Sequence, residues 1–183
     1  MGGGGRKKGG FVVWISPNTD FVACEMDEIH WFIKERKTHL NGVNAYTMTI
    51  ASRFPRQIVA FDVDNSVKAR TIQQMVDRIP PFQKYFVDGC RSYRDVYYEG
   101  KLRQNFNNKN DTYIIEGTNA DLRHYIAGLR RKSRCFFRKL ETLKAVLWVF
   151  INAYNKFGDW KRNYWERNPN SGRDFGFNHT RFI

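Results

Sequence analysis

The sequence predicts an α/β chain: a mixed sheet built from a three-strand antiparallel meander, a crossover helix and a fourth strand parallel to the first, followed by two long C-terminal helices. Three observations carry this expectation. Residues 21–61 hold three runs rich in β-branched and aromatic side chains, separated by turn signals. A helical spacing of apolar residues then intervenes before one more short apolar run. The last third carries two long apolar stripes at helical period. A strand, crossover and parallel strand in that order is the arrangement that right-handed connections allow.

The first strand is expected over residues 21–34, and Asn41-Gly42 supplies the positive-φ pair that a tight hairpin prefers. A second strand follows over 44–52 and a third over 57–61, after Pro55. Asp64, Asn65 and Ser66 offer side-chain oxygens that can cap a helix. Ile72, Met75, Val76 and Ile79 recur at helical spacing until Pro80-Pro81 ends the run. The apolar segment 85–87 then meets Asp88-Gly89, the way a buried strand delivers a polar side chain to its end. Residues 91–98 read as a short helix and the Asn-rich stretch 100–111 as a loop. The two long helices are expected over 116–132, with Leu122, Tyr125, Ile126 and Leu129 as its stripe, and over 138–156, with Leu140, Leu143, Leu147, Phe150, Ile151 and Tyr154.

Domain organisation follows from the same pass. A flexible basic leader is expected over 1–20, one domain over 21–157, and an irregular basic extension over 158–183, where periodicity disappears. With 42% apolar and 16% aromatic residues in 183, the chain can close one core without staples. Cys24, Cys90 and Cys135 are an odd, widely spaced set, which argues against a disulfide framework or zinc ribbon. The longest apolar run, 145–151, is too short to cross a bilayer, so a soluble, cytoplasmic protein with no membrane partner is expected. A net charge of +13, from 31 basic and 18 acidic residues, points to a polyanion, with nucleic acid ahead of a membrane surface.

Acidic residues are scarce in such a chain, so their placement is informative. Asp27 lies inside the first strand and Asp88 ends the fourth; if those strands are parallel neighbours, both carboxylates project at one edge of the sheet, and Glu116 at the mouth of the next helix completes a cluster. Three converging carboxylates repel one another unless a cation sits among them, and hard oxygen ligands select Mg²⁺ or Mn²⁺. Taken singly, Asp88-Gly89 is also a common turn, Glu116 a good first-turn residue and Asp27 a partner for an arginine. Glu28, Asp62 and Asp64 are rivals for the same role, Asp64 reading better as a cap. At about 100° per residue, Asn119, Arg123 and Arg130 fall on the side of Glu116. Arg130, Arg131, Lys132, Arg134, Arg138 and Lys139 then place six cations in ten residues, interleaved with Phe136 and Phe137, a credible phosphate-binding patch.

Those elements have the arrangement of the ribonuclease H-like fold, and three strings carry a further resemblance. CEMDEIHW at 24–31, VDGCRSY at 87–93 and IEGTNADLRHYIAGLRRKSRCF at 115–136 together resemble the catalytic half of DDE transposases of the bacterial insertion-sequence-one family, co-linearly over about 22–156. The resemblance implies Asp27, Asp88 and Glu116 as the carboxylates holding two Mg²⁺ or Mn²⁺ ions. It implies hydrolysis at transposon ends, then transfer of the 3′-hydroxyl into target DNA, in a nucleoid-associated prokaryotic enzyme acting as a homo-multimer. It also implies a DNA contact at Arg123, seven residues past the glutamate, and a match at Asn119. His30 and His124 read as packing or DNA-contact residues, not bases. The pattern departs at the first strand, where His30 stands in the family's tryptophan position with Trp31 one later and Lys34 beyond, so Asp27 and Glu28 both stay open as the first ligand. The family's N-terminal zinc-binding and helix-turn-helix region is not found in residues 1–20, so a separate or fused DNA-reading partner is expected. A nuclease of the same fold that cuts without joining, and a non-catalytic DNA-binding remnant, remain the competing readings.

Overall fold

The computed structural model describes residues 13–33, 43–105, 111–130 and 137–157. Strand β1 (Ala23–Ile33) pairs antiparallel with β2 (Val43–Ser52), and β2 antiparallel with β3 (Gln57–Asp64). Helix α1 (Ala69–Val76) crosses over, so that β4 (Lys84–Val87) lies parallel to β1 on its other side. A further strand, β5 (Lys101–Gln104), pairs parallel with β4, giving a five-stranded sheet of order β3-β2-β1-β4-β5. Helices α2 (Tyr113–Tyr125) and α3 (Leu140–Phe157) follow. The chain is thus α/β with a mixed sheet, and among the described residues no helix is long and apolar enough to cross a membrane.

Strand alternation divides the core between the two faces of the sheet. Cys24, Met26, Met48, Ile50, Tyr85 and Val87 pack with α1 and with Tyr93 and Val96 on one side. Ile29, Trp31, Ile33, Phe61 and Val63 pack on the other against Leu122 of α2 and Leu143, Leu147 and Ile151 of α3. At the outer edge of β3, the buried Asn155 of α3 accepts the Ile58 N–H (3.1 Å) and donates to the carbonyls of Ile58 (2.7 Å) and Trp14 (2.8 Å). One amide thereby supplies the pairing that a buried edge strand otherwise lacks. Residues 13–20, the described part of the expected leader, are tied down at the same place: Val13 is buried in the core and Trp14 N–H donates to Asn152.

Several expected boundaries move. The third strand continues past Phe61 to Asp64, because Asp62 and Asp64 sit half-buried at its far end and pair with Arg78, Lys144 and Lys68. Asp64 does not cap α1 directly. The N-cap position is Lys68, and Asp64 instead accepts from Asn65 N–H and Thr71 Oγ1. The helix expected over 91–98 reduces to a 3₁₀ turn, Arg91–Tyr93.

Part of the expected 100–111 loop is β5, whose polar residues hide a period of two: Lys101 and Arg103 are exposed, while Leu102 packs against the core. Gly100 allows that strand to start, since a Cβ there would collide with the backbone of Phe82 and Gln83. The helix expected over 116–132 starts earlier and stops at Tyr125, because Ile126 turns out of helical geometry and is buried with Leu129. The Phe137 ring occupies the space a side chain at Gly128 would need. The Asn41-Gly42 turn and the 158–183 extension lie outside the described residues.

Candidate metal centre

Parallel pairing of β1 with β4 runs through Met26 opposite Val87, so the next residues on each strand, Asp27 and Asp88, come side by side. Asp27, Glu28 and Asp88 each bring a carboxylate oxygen within 4.8 Å of the others, all three half-buried. Successive residues of a strand point to opposite faces, so Glu28 joining Asp27 in one cluster needs a reason. Both side chains curl back to their own strand, where the Glu28 backbone N–H is a hydrogen-bond partner of each carboxylate, and Asp88 sits one residue beyond the end of β4.

Neutral donors hold all three. Asn119 Nδ2 donates to Asp27 Oδ2 at 2.8 Å, Tyr93 Oη to Glu28 Oε2 at 2.9 Å, and Cys90 N–H to Asp88 Oδ1 at 2.9 Å. Asn119 is in turn fixed by Thr49 Oγ1, which donates to its Oδ1 at 3.1 Å. Gln104 of β5 donates to the carbonyls of Asp88 and Cys90, both at 2.8 Å, and so fixes the turn that carries Asp88. Among the described residues, no lysine or arginine forms an ion pair with any of the three. Burial, and then repulsion from Asp88 and Glu116, raises the Asp27 carboxyl above its ordinary value against the Glu28 N–H and Asn119 hydrogen bonds. Burial, followed by repulsion from Asp88 and Asp27, pushes Glu28 from 4.5 up to about 7.

Glu116, expected as the third member, is outside the close trio. It stands exposed in the first turn of α2, near enough to repel Asp27. That turn is anchored by Glu25, two residues before Asp27 on the same face of β1. Its Oε2 accepts the Ile115 N–H at 2.8 Å, and its Oε1 pairs with Arg53 at 2.8 Å. Arg53 lies 3.8 Å over the Phe86 ring and donates to the Asp111 carbonyl. Burial raises the Glu25 carboxyl, opposed by the Ile115 N–H and Arg53. No spacing rule links residues 25, 53 and 115, and sequence reasoning missed all three.

The residues expected on DNA divide sharply. Asn119 is only 1% exposed, and its side chain is turned to Asp27 and not to solvent. Arg123 is half-buried on α2. Arg130 is not on the helix that carries Glu116; its guanidinium caps α2 by donating twice to the His124 carbonyl. Arg138 and Lys139 are exposed just before α3, whereas Arg131, Lys132 and Arg134 lie outside the described residues. His30 is exposed, stacks on Tyr46 and bonds Asn44.

The trio has a measurable cost in the metal-free chain. A carboxyl whose folded pKa stands above its unfolded one favours the protonated folded state, so stability falls as pH rises from 4.5 through about 7. The shift corresponds to about 3 kcal/mol at alkaline pH. Glu28→Gln is therefore expected to stabilise the metal-free protein by about that amount at pH 8 and hardly at all near pH 4.5. Urea unfolding across that range checks it, and parallel pH profiles for parent and variant would contradict it.

Compared with known proteins, the chain matches no family model and no curated protein.

Proposed function

We propose that the chain is a metal-dependent enzyme that cuts and rejoins DNA phosphodiesters, a DDE-type transposase on a ribonuclease H-like fold. One observation carries the reading: three half-buried carboxylates, two inside β1 and one just past the end of its parallel neighbour β4, have only neutral donors among the described residues, in a chain with 31 basic residues. An acidic cluster with no cationic partner among the described residues of so basic a chain is suited to a divalent ion. The strand order, antiparallel through β3-β2-β1 and parallel through β1-β4-β5, supports the fold assignment.

The donor set fits Mg²⁺ or Mn²⁺, since all ligands are hard oxygens. Asp27, Asp88 and Glu28 would hold the ions, with Glu116 approaching from α2. Bound there, two such ions supply charge stabilisation for the entering and leaving oxygens of an in-line displacement. The chain's own residues prepare the site. Asn119 and Thr49 hold the Asp27 carboxylate in one orientation, Tyr93 does the same for Glu28, and Gln104 with the Cys90 N–H fixes Asp88. Preset orientation spares the reorganisation that loose carboxylates would need during the reaction. Arg138 and Lys139 offer charge for the DNA backbone outside the site.

Incubating the full chain with DNA that flanks its coding region, in Mn²⁺, Mg²⁺ or EDTA, tests this. Expected are metal-dependent cuts and, from pre-cleaved ends, covalent joining to a plasmid. Cutting without joining would leave a nuclease, and DNA binding with neither activity in any divalent ion would overturn the enzymatic reading.

A further inference from the structure

The basic residues assigned to DNA from the sequence lie in or beyond α2, but another cationic surface adjoins the carboxylates. In the register of β4 and β5, Lys84 is paired with Lys101 and Phe86 with Arg103, and pairing puts each couple on one face of the sheet. The face is identified by Arg53, which stacks on Phe86 while pairing with Glu25, so it is the α2 side and the side of Asp27. Lys84, Lys101 and Arg103 are exposed there. The main contacts of α2 are with β1 and β2 and those of α3 with β3, so neither helix packs mainly on this end of the sheet.

Two features make the surface more than an open flank. Lys84 and Lys101 are direct cross-strand neighbours of like charge, and among the described residues neither these two nor Arg103 has an ion-pair partner. Like charges set opposite one another cost stability, and an anion laid across them removes that cost. Tyr113, the first residue of α2, is 63% exposed with its ring centroid 5.9 Å from the Arg53 guanidinium, so a flat aromatic surface borders the cationic row. Arg103 is level with Phe86, two residues before Asp88, a rise of about 7 Å along the strand.

We propose that the open face of β4 and β5, with Lys84, Lys101 and Arg103 as phosphate contacts and Tyr113 as a stacking ring, binds a single nucleic-acid strand and leads it to the carboxylates. A basic groove bordered by an aromatic ring is the combination that grips single strands without sequence preference, because every base has a face to stack. An acidic peptide would use the lysines but gain nothing from the ring. The proposal rests on the phosphodiester reading for the strand's destination, whereas the binding itself needs neither metal nor cleavage.

The test is binding of a fluorescent mixed-sequence single strand of about 20 nucleotides to the full chain in EDTA, at several salt concentrations. Lys101→Glu with Arg103→Glu is expected to weaken binding more than tenfold and to reduce the salt slope by about 1.4, two phosphate contacts at about 0.7 each. Tyr113→Ala should weaken it about tenfold with the slope unchanged. The exposed edge position favours folding, and Lys101→Gln with Arg103→Gln gives the same reading if the reversal does not fold. Unchanged affinity and slope in these variants overturn the proposal, as does equal loss for heparin combined with no effect of Tyr113→Ala. Failure of the enzyme looks different: a parent that cuts nothing in Mn²⁺ but loses strand binding on Lys101→Glu/Arg103→Glu keeps the shelf and removes the chemistry. Normal cutting by that variant, with binding intact, does the reverse.

Discussion

Asp88→Asn is expected to lower metal-dependent cleavage of flanking DNA by at least about a hundredfold, close to 3 kcal/mol of transition-state stabilisation. Asp88 lies beyond the last residue of β4 and within 4.8 Å of both Asp27 and Glu28. Losing its charge therefore weakens any ion shared with either neighbour. The substitution keeps the acceptor oxygen for the Cys90 N–H and relieves repulsion on Asp27 and Glu28, so folding should be unharmed. Single-turnover rates with saturating Mn²⁺, beside melting curves, separate the two effects. A near-parental rate would remove Asp88 from the chemistry. Glu116→Gln in the same assay measures how far a residue outside the close trio contributes.

The legible and hidden parts of this site follow from which interactions have a sequence period. Asp88 at the end of a short apolar strand, and a crossover helix before it, suffice to bring it beside Asp27, because strand length and connection handedness are local rules. Glu28 shows the limit. A period of two makes neighbouring strand residues alternatives, whereas here both carboxylates turn back to the Glu28 N–H and meet Asp88 just past the end of β4. Asn119 was visible as one turn from Glu116, but not its burial, which depends on where Thr49 of β2 lies across the sheet. Arg130 reads as continuing a polar stripe, but the backbone leaves helical geometry at Ile126, a break driven by tertiary packing of Ile126, Leu129 and Phe137. β5 escaped because an edge strand with an open face is polar at alternate positions and resembles a loop.

Breaking the Glu25–Arg53 pair should destabilise the protein by about 3–5 kcal/mol, the usual cost of stranding one partner of a buried ion pair. The Glu25 side chain has no exposure and Arg53 about a quarter, so Arg53→Met leaves a buried carboxylate with only backbone N–H donors at the start of α2, Ile114 and Ile115, while Glu25→Met leaves those N–H groups and the guanidinium Nε without their acceptor. Arg53 would keep its stacking on Phe86 and its bond to the Asp111 carbonyl, which places Glu25→Met toward the lower end of the range. The double variant should cost less than the sum of the two, since apolar side chains can replace a buried pair with little loss. Urea unfolding with constant m-values reads these energies, and strict additivity would mean that the pair is not coupled. The consequence extends to the carboxylates. Glu25 holds the third residue of α2, Asn119 follows one turn later and grips Asp27, so loosening the helix start frees Asp27. Mn²⁺ affinity at a temperature where each variant remains folded should therefore fall for Glu25→Met, although its side chain belongs to none of the three ligands.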